Sequence, residues 1–212
     1  MKKNFKKIIM HLIICLLLTL MLPSQISAAP KLNKSKATLY VGETLQLKLK
    51  GASKKISWKS NKTSVASVNS KGKVTAKKGG KATITAIYGK TKISCVVTVK
   101  YAECGDGSMY ISTPSGNSKN NKVPTLSISK DTVLCQIGFY VSDFNSKYTT
   151  FINVDGKQNF KWKVSDGSSS ITLTGSLLKK GTHTVEVFQY QKNKPSSKVV
   201  TYKKAKFKIK YS

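Results

Sequence analysis

The chain has 212 residues, with 38 basic side chains, all lysine, against 8 acidic ones and a formal net charge of +30. The absence of arginine argues against base readout and bidentate phosphate clamping in a nucleic-acid binder. One or two domains fit this length.

The first element is an expected export signal over residues 1–28. Lys2, Lys3, Lys6 and Lys7 precede an apolar run from Ile8 to Leu22, and Ile26-Ser27-Ala28-Ala29 offers small residues for cleavage. The run is shorter than the roughly 20 residues that span a bilayer, so cleavage after Ala28 is preferred to a retained anchor. A lipoprotein reading of Cys15 is rejected, because Ile14 precedes it and Leu16-Leu17-Leu18 follows. Cleavage removes four lysines and no acid, leaving a charge of +26 and no second run long enough to span a membrane. Such an exterior attracts polyanions over long range. Anionic cell-wall polymer, polysaccharide or a surface protein are therefore the expected partners, and nucleic acid is not. The plainer alternative is that lysine only decorates solvent-facing strand positions.

Residues 30–100 read as short strands. Leu45, Leu47 and Leu49 alternate with Gln46, Lys48 and Lys50; Ile93, Cys95, Val97 and Val99 form one face of a later run. Alternation with period two buries one face and wets the other. Several such runs between turn residues predict a sandwich. Gly42 and Gly72 supply permissive backbone at turns, and Trp58 is large enough to bridge two packed sheets. A structural role for Trp58 is preferred to ligand stacking, and truncating it should cost on the order of 3–5 kcal/mol.

Leu39-Tyr40-Val41-Gly42-Glu43-Thr44-Leu45-Gln46-Leu47, Ile56-Ser57-Trp58-Lys59-Ser60-Asn61, Val65-Ala66-Ser67-Val68, Gly72-Lys73-Val74-Thr75-Ala76, Gly80-Lys81-Ala82-Thr83-Ile84-Thr85-Ala86 and Cys95-Val96-Val97-Thr98-Val99 follow in that order. This succession, about a third of the chain, resembles the bacterial immunoglobulin-like domain of group 2. The resemblance implies a β-sandwich, and a place in surface or secreted proteins, where the family includes stalk domains of intimin- and invasin-type adhesins. Fold alone does not imply function.

Residues 101–121 are expected to be a linker or loop, interrupted by Gly105, Asp106 and Gly107 and rich in Ser, Gly and Asn. Residues 122–212 predict a second sandwich, loosely similar to immunoglobulin-like or fibronectin-like modules. Val133, Cys135, Ile137, Phe139 and Val141 alternate, and Asp155-Gly156 is a hairpin signal before Phe160, Trp162 and Val164. A strand over Gly181–Val187 and a last one over Val199–Ile209 complete an all-β chain of two tandem immunoglobulin-like sandwiches.

Catalysis requires positioned acids, bases or nucleophiles. After residue 28 there is one histidine, His183, expected at the surface or a rim; Asp143, Asp155 and Asp166 read as turn residues. No catalytic, cofactor-binding or metal-ligating residue, and no cofactor, is expected. Cys95 and Cys135 fall on apolar faces, while Cys104 is expected to be exposed, either paired with Cys95 or free, with no disulfide preferred. Trp162 is read as core, and Tyr148, Tyr190 and Tyr202 as candidates for exposure in a glycan-binding row. The expected function is non-catalytic: adhesion, or spacing and binding at the cell envelope. The alternatives are a carbohydrate-binding accessory module and a lysine-driven binder of anionic wall polymer.

Overall fold

The computed structural model describes residues 29–52 and 55–212. The expected signal segment, with its cleavage site and Cys15, lies outside the described residues. Among the described residues no helix is long and apolar enough to cross a membrane. The chain divides into two compact units, with the boundary between Val99 and Lys100.

The first unit holds β1 (Lys31–Leu32), β2 (Lys36–Tyr40), β3 (Thr44–Gln46), β4 (Leu49–Lys50), β5 (Ser57–Ser60), β6 (Ala66–Val68), β7 (Lys73–Ala76), β8 (Gly80–Tyr88) and β9 (Thr91–Lys100). They form a four-stranded sheet β2-β9-β8-β5, a three-stranded sheet β3-β7-β6 and the pair β1-β4. Alternation assigns the faces: Ala82, Ile84 and Ala86 of β8 and Cys95, Val97 and Val99 of β9 are buried and share one core with Leu39, Leu47, Ala66 and Val74. Trp58 is half-buried against that core, with its ring over the turn at Gly72. That turn is built by Asn69, whose side-chain oxygen accepts from the backbone N–H groups of Lys71 and Lys73, the local chemistry that favours Asn in turns.

The second unit holds β10 (Ser108–Thr113), β11 (Gly116–Asn117), β12 (Thr125–Ile128), β13 (Leu134–Ser142), β14 (Thr150–Val154), β15 (Lys157–Trp162), β16 (Gly167–Thr174), β17 (Gly181–Tyr190) and β18 (Val199–Tyr211). Its sheets run β11-β10-β13-β16 and β12-β18-β17-β14-β15, antiparallel except that β12 lies parallel to β18. Ile111, Phe139, Ile171, Ile152, Val185, Val187, Phe207 and Ile209 meet between them in one core. Asp155 and Gly156 both take positive φ, 49° and 76°, as the tight β14–β15 turn requires.

The stretch 101–121 is not a linker. Its strand β10 pairs with β13 over Ser108–Ser112 and buries Ile111 completely. Cys104 exchanges two backbone hydrogen bonds with Tyr202, of 3.1 and 3.0 Å. Only one fully inward apolar residue, Ile111, marks β10, so alternation did not reveal it. Val133, expected to open the alternating face of β13, instead precedes that strand and is 82% exposed.

Candidate functional site

His183 is buried, contrary to a surface position. It stands level with Val185 and Val187, opposite Phe207 in the β17–β18 register, and its ring stacks on that phenylalanine at 5.2 Å. Nδ1 lies 2.7 Å from Asp155 Oδ2, and Nε2 lies 2.7 Å from the Lys179 carbonyl. Asp155 also accepts from the Thr184 backbone N–H at 2.9 Å. Both ring nitrogens therefore face oxygens. Each contact is a full hydrogen bond only when a proton lies between every nitrogen and its oxygen, as in an imidazolium or with the carboxyl protonated. The ring is held between the β14–β15 turn and the core residue Phe207, and the pair reads as a structural clasp.

The other groups are scattered. Among the described residues no three His, Cys, Asp or Glu side chains gather as metal ligands. Cys95 is buried, Cys135 half-buried and Cys104 exposed, and all three thiols are free, so the Cys95–Cys104 pairing does not form. Burial pushes the Cys95 and Cys135 thiols up from their usual value. The backbone N–H of Asp143, donated to Asp166 at 2.9 Å, draws the Asp166 carboxyl below its usual value.

The aromatic side chains do not form an open row. Tyr190 and Tyr202 are 5% and 4% exposed, packed with Phe151 and Phe188 into a second small cluster on the outer face of the β18 sheet, with Tyr101 against it. Both were candidates for exposure; a register shift near Tyr190 and the returning segment at Tyr101 close that end of the face. Burial raises the Tyr190 hydroxyl to about 12, and burial together with Glu186 raises Tyr202 further. Tyr202 donates to Glu186 Oε1 at 2.8 Å. Trp162 is half-buried against the main core, as the alternation predicts, and Tyr148 is half-buried. On the opposite sheet Tyr110 and Tyr140 stack on each other at 4.4 Å and 3°. Lys119 Nζ covers Tyr110 at 4.4 Å from its centre, and Tyr140 lies over Gly138. Tyr110 and Tyr140 thus each present a face to the other, while Tyr211, at the end of β18, is 40% exposed.

What remains is charge. The ion pair found among the described residues joins His183 to Asp155, and none of those lysines comes within 4.0 Å of a carboxylate. Between residues 29 and 99 Glu43 is the lone acidic residue against 16 lysines, of which Lys54 lies outside the described residues, and it is engaged with the Tyr40 backbone N–H. On that unit's outer sheet face, Lys36, Thr38, Lys81, Val96 and Thr98 line a shallow open depression of about 390 Å³. In the second unit, β18 presents Lys204, Lys206, Lys208 and Lys210 outward, all exposed, while Ala205, Phe207 and Ile209 between them enter the core.

Residues 29–99 match the family model for the bacterial Ig-like domain (group 2). The match coincides with the first unit, where the turn at Gly72 and the ring of Trp58 meet, and it covers a third of the chain. A termite-gut GH10 xylanase that contains a bacterial Ig-like domain is 29% identical over 34% of this chain, with a TM-score of 0.30; the aligned part spans a fifth of the xylanase. Domains 4 and 5 of the S-layer protein SbsC are 15% identical, covering 86% of this chain and 98% of theirs, with a TM-score of 0.31. The fibronectin(III)-like modules of Clostridium thermocellum CbhA are 15% identical, covering 86% and 95%, with a TM-score of 0.28. These scores are too low to bear on function. No curated protein matches the sequence.

Proposed function

We propose that this chain is a non-catalytic module of the bacterial cell exterior that attaches to anionic envelope polymer through its lysines, and so serves adhesion or spacing. One observation carries the reading: the described lysines of both units lie almost all at solvent-exposed positions, and none of them comes within 4.0 Å of a carboxylate among the described residues. Unpaired charge of one sign raises the local concentration of a polyanion and binds it by releasing counterions. The match of the first unit to a bacterial Ig-like domain supports a structural module of surface or secreted proteins. A glycan-stacking role has less support, because Tyr190 and Tyr202 are buried in an aromatic cluster and Tyr110 and Tyr140 stack on each other.

The test is co-sedimentation of the processed chain with purified bacterial walls, before and after chemical removal of their anionic polymer. The chain should pellet with intact walls and stay in solution with stripped ones. Equal recovery on both would refute the proposal.

A further inference from the structure

Resting on that reading, we infer that the polymer is a linear phosphodiester chain and that it lies along β18, on the outer face of the five-stranded sheet. Lys204, Lys206, Lys208 and Lys210 occupy four successive outward positions. Alternate residues of an antiparallel strand stand about 6.8 Å apart, so the row is about 20 Å long. No other described strand carries lysine at four consecutive outward positions. Adjacent like charges oppose the folded state, and no carboxylate within 4.0 Å relieves them.

The neighbouring strands complete the row. Ser127 of β12 pairs with Lys210, and Thr125 of β12 and Thr182 of β17 flank Lys208 from both sides. Thr184 stands beside Lys206. Leu126, Ile128 and Val185 of the same strands are buried, so Ser127, Thr125, Thr182 and Thr184 share the lysines' outer face. Glu186 stands level with Lys204, but its Oε1 accepts from the Tyr202 hydroxyl, and the aromatic cluster ends the row there. The surface is thus a file of four exposed lysines on one strand, bordered by hydroxyl-bearing residues of its two neighbours.

Spacing selects the ligand. Phosphates bridged by a three-carbon diol are six backbone bonds apart, twice the three bonds that span about 3.3–3.6 Å in an extended peptide, and so repeat on the order of 7 Å. One phosphate then falls at each lysine. Inorganic polyphosphate, with two bonds per repeat, is too dense to match the file, and a polyuronate carries no phosphate.

The experiment uses the processed full chain and three variants, each first shown to keep its β-type circular dichroism. One carries K204Q, K206Q, K208Q and K210Q; a second carries arginine at those four positions; a third carries K130Q, K147Q, K192Q and K194Q, which are exposed loop lysines of the same unit. Affinity for poly(glycerol phosphate) is measured against salt, with polygalacturonate and inorganic polyphosphate as comparison probes. The glutamine row should lose at least tenfold in affinity, and its log–log salt slope should become shallower by about 3, from four contacts at about 0.7 each on a single-stranded polymer. The arginine row should bind as the parent does, and the loop variant should keep most of its affinity. Equal losses in the row and loop variants would overturn the placement while leaving the wider polyanion reading intact. Equal row dependence for polygalacturonate or polyphosphate would overturn the phosphodiester assignment. No binding by the parent chain to any of the three would refute the wider reading itself.

Discussion

Replacing Gly72 by alanine separates backbone strain from loss of space at the centre of the first unit. Gly72 has φ of +77°, and a Cβ there would sit 2.6 Å from the Leu47 carbonyl oxygen and 2.8 Å from the Trp58 ring. Gly42 is the natural control: its φ is +95°, but a Cβ would meet nothing within 4 Å. A non-glycine residue in the left-handed region costs roughly 1–2 kcal/mol, offset by about 0.4–1 kcal/mol from a less flexible unfolded chain. Gly42→Ala should therefore lose about 1 kcal/mol. Gly72→Ala carries the same strain and also forces either the Trp58 ring or the Leu47 backbone to move. The Leu47 N–H is itself bonded to the Gly72 carbonyl at 3.0 Å, so that backbone cannot yield freely. Overpacking of this kind costs about 1–3 kcal/mol, which gives a total near 3 kcal/mol, a large part of the roughly 5–15 kcal/mol that holds a domain together. Each unit contains one tryptophan, Trp58 or Trp162. In a Trp162→Phe background, fluorescence in a urea titration follows the first unit alone, and the slope with urea should stay unchanged. If Gly72→Ala destabilised no more than Gly42→Ala, the close packing of Trp58 on that turn would be wrong.

Asp155→Ala should destabilise the second unit by about 2–3 kcal/mol, since it strips a partner from a buried ring nitrogen and from the Thr184 N–H. Asp155→Asn, which can still accept from Thr184 and donate to a neutral ring, should cost less than about 1 kcal/mol by the same chemical denaturation. In alkali, Tyr190 holds its proton in the fold to about 12, above the value near 10 of an unfolded chain. Its contribution is thus fully present below about 10 and lost as pH rises through about 12; tyrosinate absorbance should lag for this residue and for Tyr202 until the unit unfolds. Native thiol titration should find Cys104 reacting first and Cys95 only on unfolding, as their exposed and buried positions require.

The first unit is legible because each strand repeats one rule: Ile84, Ala86, Cys95 and Val97 point inward at every second position and all are buried. Gly42 and Gly72 then mark its turns, and Trp58 packs against its core. In the second unit the same rule finds β17 and β18 but misses β10, where Ile111 is the single fully buried residue in a polar segment. The clasp of His183 with Asp155 joins residues 28 apart, and alternation alone cannot say which turn meets which strand. The lysine file shows a similar division. Its alternation with Ala205, Phe207 and Ile209 is local and readable, whereas its border of Ser127 and Thr125 depends on the parallel pairing of β12. Tyr202 and Tyr190 follow the outward parity of their strands, yet they are buried by the segment around Tyr101 that returns over that end of the face.

The most direct test of lysine-driven attachment is the affinity of the chain from residue 29 onward for purified anionic wall polymer, measured across a range of salt concentrations. The logarithm of affinity should fall linearly with the logarithm of salt, with a slope of about −3 or steeper, reflecting four or more neutralised charges. A flat dependence would show that unpaired lysine does not hold the protein to its polymer, and the account would fail.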